Sequence, residues 1–243
     1  MSHRGVKEAI DLNADVGEGL PREADEALMR VVTSANVACG GHAGDRETMR
    51  ATVQAALECG TRVGAHPSYP DRERFGRETI EIKPHELEKS LRGQIEDLIG
   101  VARELGAEVA YIKPHGSLYN DAARDASLLE LVLRVAREFA LPVMLLASAA
   151  ASAHAVAPPG NGPPIIKEGF IDRGYLDNGR LIPRDRPGAL ITDPQAAAAQ
   201  ALALAPDVDS LCVHSDTPDA GKLALAARRA LEEAGYHIGP PRG

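Results

Sequence analysis

The chain has 243 residues, 44% of them hydrophobic, which is enough for one large core. A formal net charge of −8 and a sequence pI near 5.5 argue against nucleic acid or an anionic membrane surface as the main partner, because both need clustered Lys and Arg. No apolar run reaches the ~18 residues of a membrane-spanning helix, and "MSHRGVKEAIDLNADVGEG" at the start has no apolar h-region, so neither a span nor a secretion signal is expected.

The first predicted element is a strand near 8–14. In "IDLNADVGEG" (10–19), Asp11, Asn13 and Asp15 alternate with Leu12 and Ala14, and Glu18 follows. The stretch begins like a calcium loop, which needs Gly at position 16 and Glu at position 22; this chain has Val16 and Arg22. The alternation is that of a strand, which turns residues i, i+2 and i+4 to one face. A strand near 34–39 leads into "SANVACGGHAGD" and a helix over 45–59, with Met49, Val53, Ala56 and Leu57 on one face and Gly60 after it. A strand near 61–65 precedes the clearest helix, 84–105. There Leu87, Leu91, Ile95, Leu98, Ala102 and Leu105 follow 3.6-residue spacing, Pro84 fits the first turn and Gly106 fits the stop.

A strand near 108–113 and a helix near 126–139 come next, with Leu128, Val132, Val135 and Phe139 together. "LPVMLLASAAASAHAVAPP" (141–159) reads as a strand, 142–147, and a small Ala-rich helix. Strands near 164–168 and 209–214 alternate with "TDPQAAAAQALALA" (192–205) and "DTPDAGKLALAARRALEEAG" (216–235). These two helices open on Asp193-Pro194 and Thr217-Pro218, each read as an N-cap followed by Pro at the first helical position. Seven strands alternating with helices imply right-handed βα units and a mainly parallel sheet. A seven-stranded α/β barrel fits, with an open doubly wound sheet as the alternative. No linker or internal repeat appears, so residues 1–243 are read as a single barrel domain.

Cys39, Cys59 and Cys212 are odd in number and form no C-x-x-C, so disulfides and Cys-rich zinc sites are not expected, and a cytoplasmic location is. Cys39 stands out because it sits beside polar residues.

In parallel α/β folds, ligands bind at the C-terminal ends of strands. The strand exits here carry Asn13, Asp15 and Glu18; His42 and Asp45; His66 and Asp71; Lys113, His115 and Asn120; Glu168, Asp172 and Arg173; and His214 and Asp216. Four of the eight histidines sit directly at such exits. Asp11, Asn13 and Asp15 share one strand face, as do Tyr111, Lys113 and His115, and Cys212, His214 and Asp216. In a barrel these faces converge inside the upper rim. Carboxylates, imidazoles and an amine together suit general acid–base work or a divalent metal with an activated water. Gly40, Gly41 and Gly44 mark a sharp turn or a close approach to ligand, while Asp45 also fits a helix N-cap. "GAHPSYPDRERFGRE" reads equally as a lid or a solvated loop. Arg184 and Arg186 fit a carboxylate or phosphate grip, or surface salt bridges.

No Walker A loop, no G-x-G-x-x-G after a strand and no G-x-S-x-G elbow occurs. H-x-x-x-H and H-E-x-x-H are missing too, so any metal site must be assembled across strands.

"DLNADVGEG", "SANVACGGHAGD", "GAHPSYPD", "KPHGSLYN", "DRGYLDNGRLIPR", "PGALI" and "CVHSDTPDA" occur in this order. Together they resemble the LamB/YcsF family, the A subunits of bacterial ATP-dependent 5-oxoprolinase, over residues 10–234. The resemblance implies a barrel similar to the glycoside hydrolase/deacetylase superfamily. It implies opening of the 5-oxoproline lactam to L-glutamate, with ATP handled by two further subunits, B and C, rather than by this chain. In that reading the catalytic set is Asp11, Asn13, Asp15, His42, His66, Lys113 and His115. Asp15 or Asp11 is the base toward water, the histidines shape the site and Lys113 stabilises developing negative charge. Asp11, one step deeper, orients a neighbour such as Lys113 or a histidine. Glu18, Asn36, Asp45, Glu168, Arg173, Arg184, His214 and Asp216 are expected to bind substrate. A divalent metal, if the site takes one, falls to Asp15, His42 and His66. Two positions depart from the family pattern: Gly41 stands where an aromatic is usual, and Ser215 where Gly is.

Two rival functions remain. A stand-alone metal-dependent deacetylase or glycosidase predicts a tightly held ion and activity without partners. A non-catalytic sugar- or lactam-binding module predicts binding without turnover. Oligomeric state is left open, a homo-oligomer among the options.

Overall fold

A computed structural model describes residues 9–157 and 160–240. Its strands are β1 (Ala9–Val16), β2 (Ser34–Ala38), β3 (Arg62–His66), β4 (Val109–Ile112), β5 (Val143–Leu146), β6 (Ile165–Phe170), β7 (Ser210–Val213) and β8 (His237–Ile238). Its helices are α1 (Arg22–Met29), α2 (Arg46–Cys59), α3 (Pro84–Glu104), α4 (Gly116–Ala122), α5 (Ala126–Glu138), α6 (Ala150–Val156), α7 (Pro194–Leu204) and α8 (Ala220–Glu233). Strands β2 to β7 pair in sequence order, and β1 pairs in parallel with both β2 and β7. The sheet therefore closes into a seven-stranded parallel barrel, and the open-sheet alternative falls away. β8 adds two residues beside the start of β1.

Closure explains the strand composition. Outward positions such as Ala35, Val37, Val63, Ala65, Ile112, Val143 and Leu145 are buried against the helices in one apolar cluster. The expected stripe of α3 is there: Leu87, Leu91, Ile95, Leu98 and Ala102 are buried. Each such Leu or Ile contributes about 1.5–3 kcal/mol of burial. A second cluster packs α7 and α8 against β1 and β7. Inward positions are polar at mid-height, and Gly64 of β3 makes room there. A Cβ on Gly64 would run into the ring of Tyr111, which crosses the barrel interior.

Several local expectations change. Asp193 caps α7 by accepting from the Ala196 N–H at 2.8 Å. Thr217, by contrast, does not cap the last helix. That helix starts at Ala220 after Asp219, whose φ is 57°, and the Thr217 hydroxyl donates instead to Asp172 at 2.6 Å. Leu57 faces outward and is 41% exposed. Cys39 points into the outer apolar core, away from the polar interior, and burial pushes its thiol up to about 12. α1, α4 and β8 carry too short a pattern to be read from periodicity. Residue 8 and part of the "APPGNGPP" loop lie outside the described residues. Among the described residues, no helix is long and apolar enough to cross a membrane.

Candidate active site

The barrel interior is layered from bottom to rim. At the bottom, Asp11 is fully buried and accepts from Thr33 Oγ1 (2.6 Å), Ser34 Oγ (2.7 Å) and Ser210 Oγ (2.5 Å). Burial raises its pKa, against those hydroxyls. Three hydroxyls occupy Asp11, so it orients Ser210 rather than Lys113 or a histidine, and it is absent from the cavity lining.

The next layer is a closed network. Ser210 accepts from Asn13 Nδ2 at 2.8 Å, and Asn13 Nδ2 also donates to Glu168 Oε1 at 2.9 Å. Asn36 Nδ2 donates to Asn13 Oδ1 (2.7 Å) and Asp15 Oδ1 (2.8 Å), and Asn36 Oδ1 accepts from Tyr111 at 2.6 Å. Register produces this meeting, because Asp15 pairs with Asn36 and Asn13 with Cys212. Lys113 Nζ sits at the centre, 2.9 Å from Asp15 Oδ1, 3.0 Å from Glu168 Oε1 and 3.0 Å from Cys212 Sγ. Tyr119 closes the far side by donating to Glu168 Oε2 at 2.7 Å. Burial opposes ionisation of Asp15, but the Lys113 ammonium and His66 outweigh it and hold Asp15 well below the usual carboxylate range. The same carboxylates hold Lys113 well above its ordinary value despite burial.

Beside this network stand Glu18, His42, His66 and His115, whose polar atoms lie within 4.8 Å of one another. This group of four could hold a metal ion. Of the metal candidates expected from sequence, His42 and His66 fall in this group, together with Glu18 and His115. Asp15 is instead engaged by Lys113, with His66 Nε2 3.5 Å away. The 67–83 loop supports the cluster. Phe75 adopts φ 57°, its carbonyl accepts from His115 Nε2 at 2.9 Å, and Gly76 (φ 62°) leaves only 3.0 Å between a would-be Cβ and His42. Burial pushes His42 down to about 3 and lowers His115. His42 and His115 hold Glu18 below its ordinary value against burial.

A cavity of about 610 Å³ opens above, lined at its floor by Asp15, His66, Lys113 and His115. On its wall, His214 Nδ1 lies 3.0 Å from the buried Asp172 carboxylate, and Phe170 stacks on the His214 ring at 5.1 Å. Arg77, Arg173 and Arg184 also line it. Arg173 is held by the Ala189 and Ile182 carbonyls, and burial with Arg184 nearby brings it down to about 10. Arg77 and Arg184 both reach Asp216 at the rim, at 2.5 and 3.3 Å.

The structure therefore brings together Asn13, Asp15, Asn36, Lys113 and Glu168, and separately Glu18, His42, His66 and His115. Asp45 stays apart: it is exposed and caps α2 through the Thr48 N–H at 2.8 Å. Gly41 borders no ligand space, since a Cβ there would strike Gln94 Oε1 and Ser68 Oγ, which leaves no room for the family's aromatic. Sequence reasoning gives no role to Tyr119, Cys212, Asp172 or Arg77. All four sit inside stretches or faces already singled out, Arg77 in the "GAHPSYPDRERFGRE" segment read as a lid or a solvated loop.

Comparison with known proteins agrees with this architecture. The sequence model of the LamB/YcsF family matches residues 10–243. The A subunit of 5-oxoprolinase from Chloroflexus aggregans is 42% identical, over 96% of this chain and 99% of its own. The crystal structure of the lactam utilization protein from Thermus thermophilus superposes with a TM-score of 0.84 at 33% identity, covering 95% of this chain and 99% of that one. A family 4 carbohydrate esterase from Streptomyces lividans shares the fold at 12% identity, with a TM-score of 0.56, covering 97% of this chain and 93% of its own. The closed barrel, the polar interior and the near full-length match agree: the chain belongs to the LamB/YcsF family.

Proposed function

We propose that the chain is the lactam-opening component of an ATP-dependent 5-oxoprolinase and produces L-glutamate from 5-oxoproline. One observation carries the reading: a buried ammonium, Lys113, sits at the floor of a cavity lined by four guanidinium groups, those of Arg77, Arg124, Arg173 and Arg184. The substrate is a small carboxylate with one amide carbonyl. Arg77 and Arg184 suit its carboxylate. Lys113 suits the oxygen on which negative charge develops. The relatives share the name of the 5-oxoprolinase A subunit, which supports the same reaction.

Asp172 accepts from His214 Nδ1, which makes Nε2 the basic position of the ring. His214 Nε2 is assigned as the acceptor of the water proton, since Asp15 is held ionised by Lys113 and takes a proton poorly. Water adds to the lactam carbon and its proton passes to His214. The ring nitrogen leaves with that proton as the C–N bond breaks.

An amide is a poor electrophile, and the chain carries no nucleotide motif. Partner subunits B and C therefore bind ATP and phosphorylate the amide oxygen. Water addition and ring opening then give an acyl phosphate, and a second water releases phosphate and glutamate. Cys39, Cys59 and Cys212 are free thiols, which fits a cytoplasmic complex.

The test is glutamate release from 5-oxoproline, measured for this chain alone and with both partners, with and without ATP. Glutamate formation requiring all components is expected. Absence of glutamate in the full complex, with ATP-independent release of acetate from acetylated sugars by this chain alone, would replace this reading by the deacetylase one.

A further inference from the structure

Three acceptor atoms meet beside the cavity floor. His66 Nδ1 lies 2.7 Å from the Lys113 carbonyl, and His115 Nε2 lies 2.9 Å from the Phe75 carbonyl. A carbonyl oxygen only accepts, so each of those nitrogens carries its ring's proton. With both rings neutral, as metal ligation requires, His66 Nε2 and His115 Nδ1 then present lone pairs, and these face each other at 3.0 Å. Glu18 Oε1, another acceptor, sits 3.6 Å from the first and 3.3 Å from the second. Such an array is self-repelling. One proton bridges one of the three contacts, whereas a cation satisfies all three.

The spacing selects the ion. Tetrahedral bonds of ~2.0–2.1 Å place ligand atoms about 3.3 Å apart. The observed 3.0, 3.3 and 3.6 Å bracket that value. Two imidazoles and a carboxylate suit Zn²⁺ or a similar borderline ion, while Ca²⁺ and Mg²⁺ prefer oxygen ligands. The backbone carbonyls behind both rings fix the tautomers that leave the lone pairs available.

His42 plays a different part. Its ring stacks on His115 with centroids 3.6 Å apart and planes 4° apart, so their in-plane lone pairs run side by side and do not converge. Its Nε2 instead reaches Glu18 Oε1 at 2.9 Å. We propose that Glu18, His66 and His115 bind one Zn²⁺-class ion and that His42 orients Glu18. Such an ion supplies Lewis-acid polarisation of a carbonyl or an activated water at the cavity floor. The assignment does not depend on the lactam reading, because the ligand array exists whatever the substrate.

The experiment is metal analysis of the full chain by plasma mass spectrometry after dialysis, with Co²⁺ titration followed by visible absorption. About one ion per chain and the d–d bands of four-coordinate Co²⁺ are expected. Glu18→Gln and His66→Ala lose the ion. His42→Ala keeps it with affinity lowered about 10–100-fold, as for other outer-shell partners. Circular dichroism monitors folding; if His66→Ala does not fold, the near-isosteric Glu18→Gln carries the comparison. Failure of the parent chain to bind Zn²⁺ or Co²⁺, or unchanged binding in Glu18→Gln, overturns the proposal. Neither readout involves 5-oxoproline, so it stands or falls apart from the proposed activity.

Discussion

Lys113 Nζ lies 2.9 Å from Asp15 Oδ1, and both side chains are almost wholly buried. With Glu168 Oε1 at 3.0 Å, one ammonium holds two carboxylates inside the barrel. Removing it leaves both without their counter-charge. Lys113→Met is expected to cost about 3–5 kcal/mol of stability, read from urea unfolding. Glutamate formation in the reconstituted complex should fall about 10²–10³-fold. Turnover near the parent's would remove Lys113 from the site.

Asp172 and His214 give a separable test. Asp172→Asn keeps the shape but presents an amide that can stabilise the wrong imidazole tautomer. We expect kcat to drop about 10²–10⁴-fold with KM little changed. A pure KM effect would assign His214 to binding and not to proton transfer.

The rim arginines divide from the floor in the same way. Arg184→Ala should raise KM about tenfold, equal to roughly 1.4 kcal/mol of binding, with kcat nearly intact. Steady-state kinetics on the complex reads this directly, and an unchanged KM would place the substrate carboxylate elsewhere.

How much of this is legible in sequence follows from which signals are local. Period-2 alternation places Asp11, Asn13 and Asp15 on one face, and strand exits mark His42, His66, Lys113, His115 and His214. Height within the barrel is not legible. Asp11 and Asp15 share a face, yet Asp11 is closed off by Thr33, Ser34 and Ser210 while Asp15 reaches the cavity. That difference depends on pairing register with β2 and β7, which no single segment encodes. Arg77 escapes notice for a related reason. It lies on a loop without periodicity, and its partner Asp216 is 139 residues away. At Thr217 the local Thr-Pro pattern matches a cap, but the buried Asp172 offers its hydroxyl a charged acceptor from another strand exit.

Packing around Tyr111 yields a purely structural prediction. Gly64→Ala forces a methyl into the Tyr111 ring and threatens its 2.6 Å link to Asn36. Overpacking of this kind costs about 1–3 kcal/mol. A fall in the urea midpoint that Tyr111→Leu partly reverses in the double variant would locate the clash; simple additivity would refute it.

Asp25 on α1 gives the pH-dependent case. Its Oδ2 accepts the Gly17 N–H at 2.8 Å, its Oδ1 is buried without a partner, and burial, aided by Glu18, raises its pKa to about 6 against the Gly17 bond. The folded-state value lies above the unfolded one, near 3.8. The stability this group contributes is therefore full below that unfolded value and is lost as pH rises through about 6. At roughly 1.4 kcal/mol per unit, the loss is about 3 kcal/mol. Asp25→Asn keeps an acceptor for Gly17 and cannot ionise. It should unfold at about the parent's temperature at pH 4 and at a higher temperature at pH 8. Calorimetry of both proteins across that range checks the sign, and equal melting temperatures at pH 8 would show that Asp25 is not held against its charge.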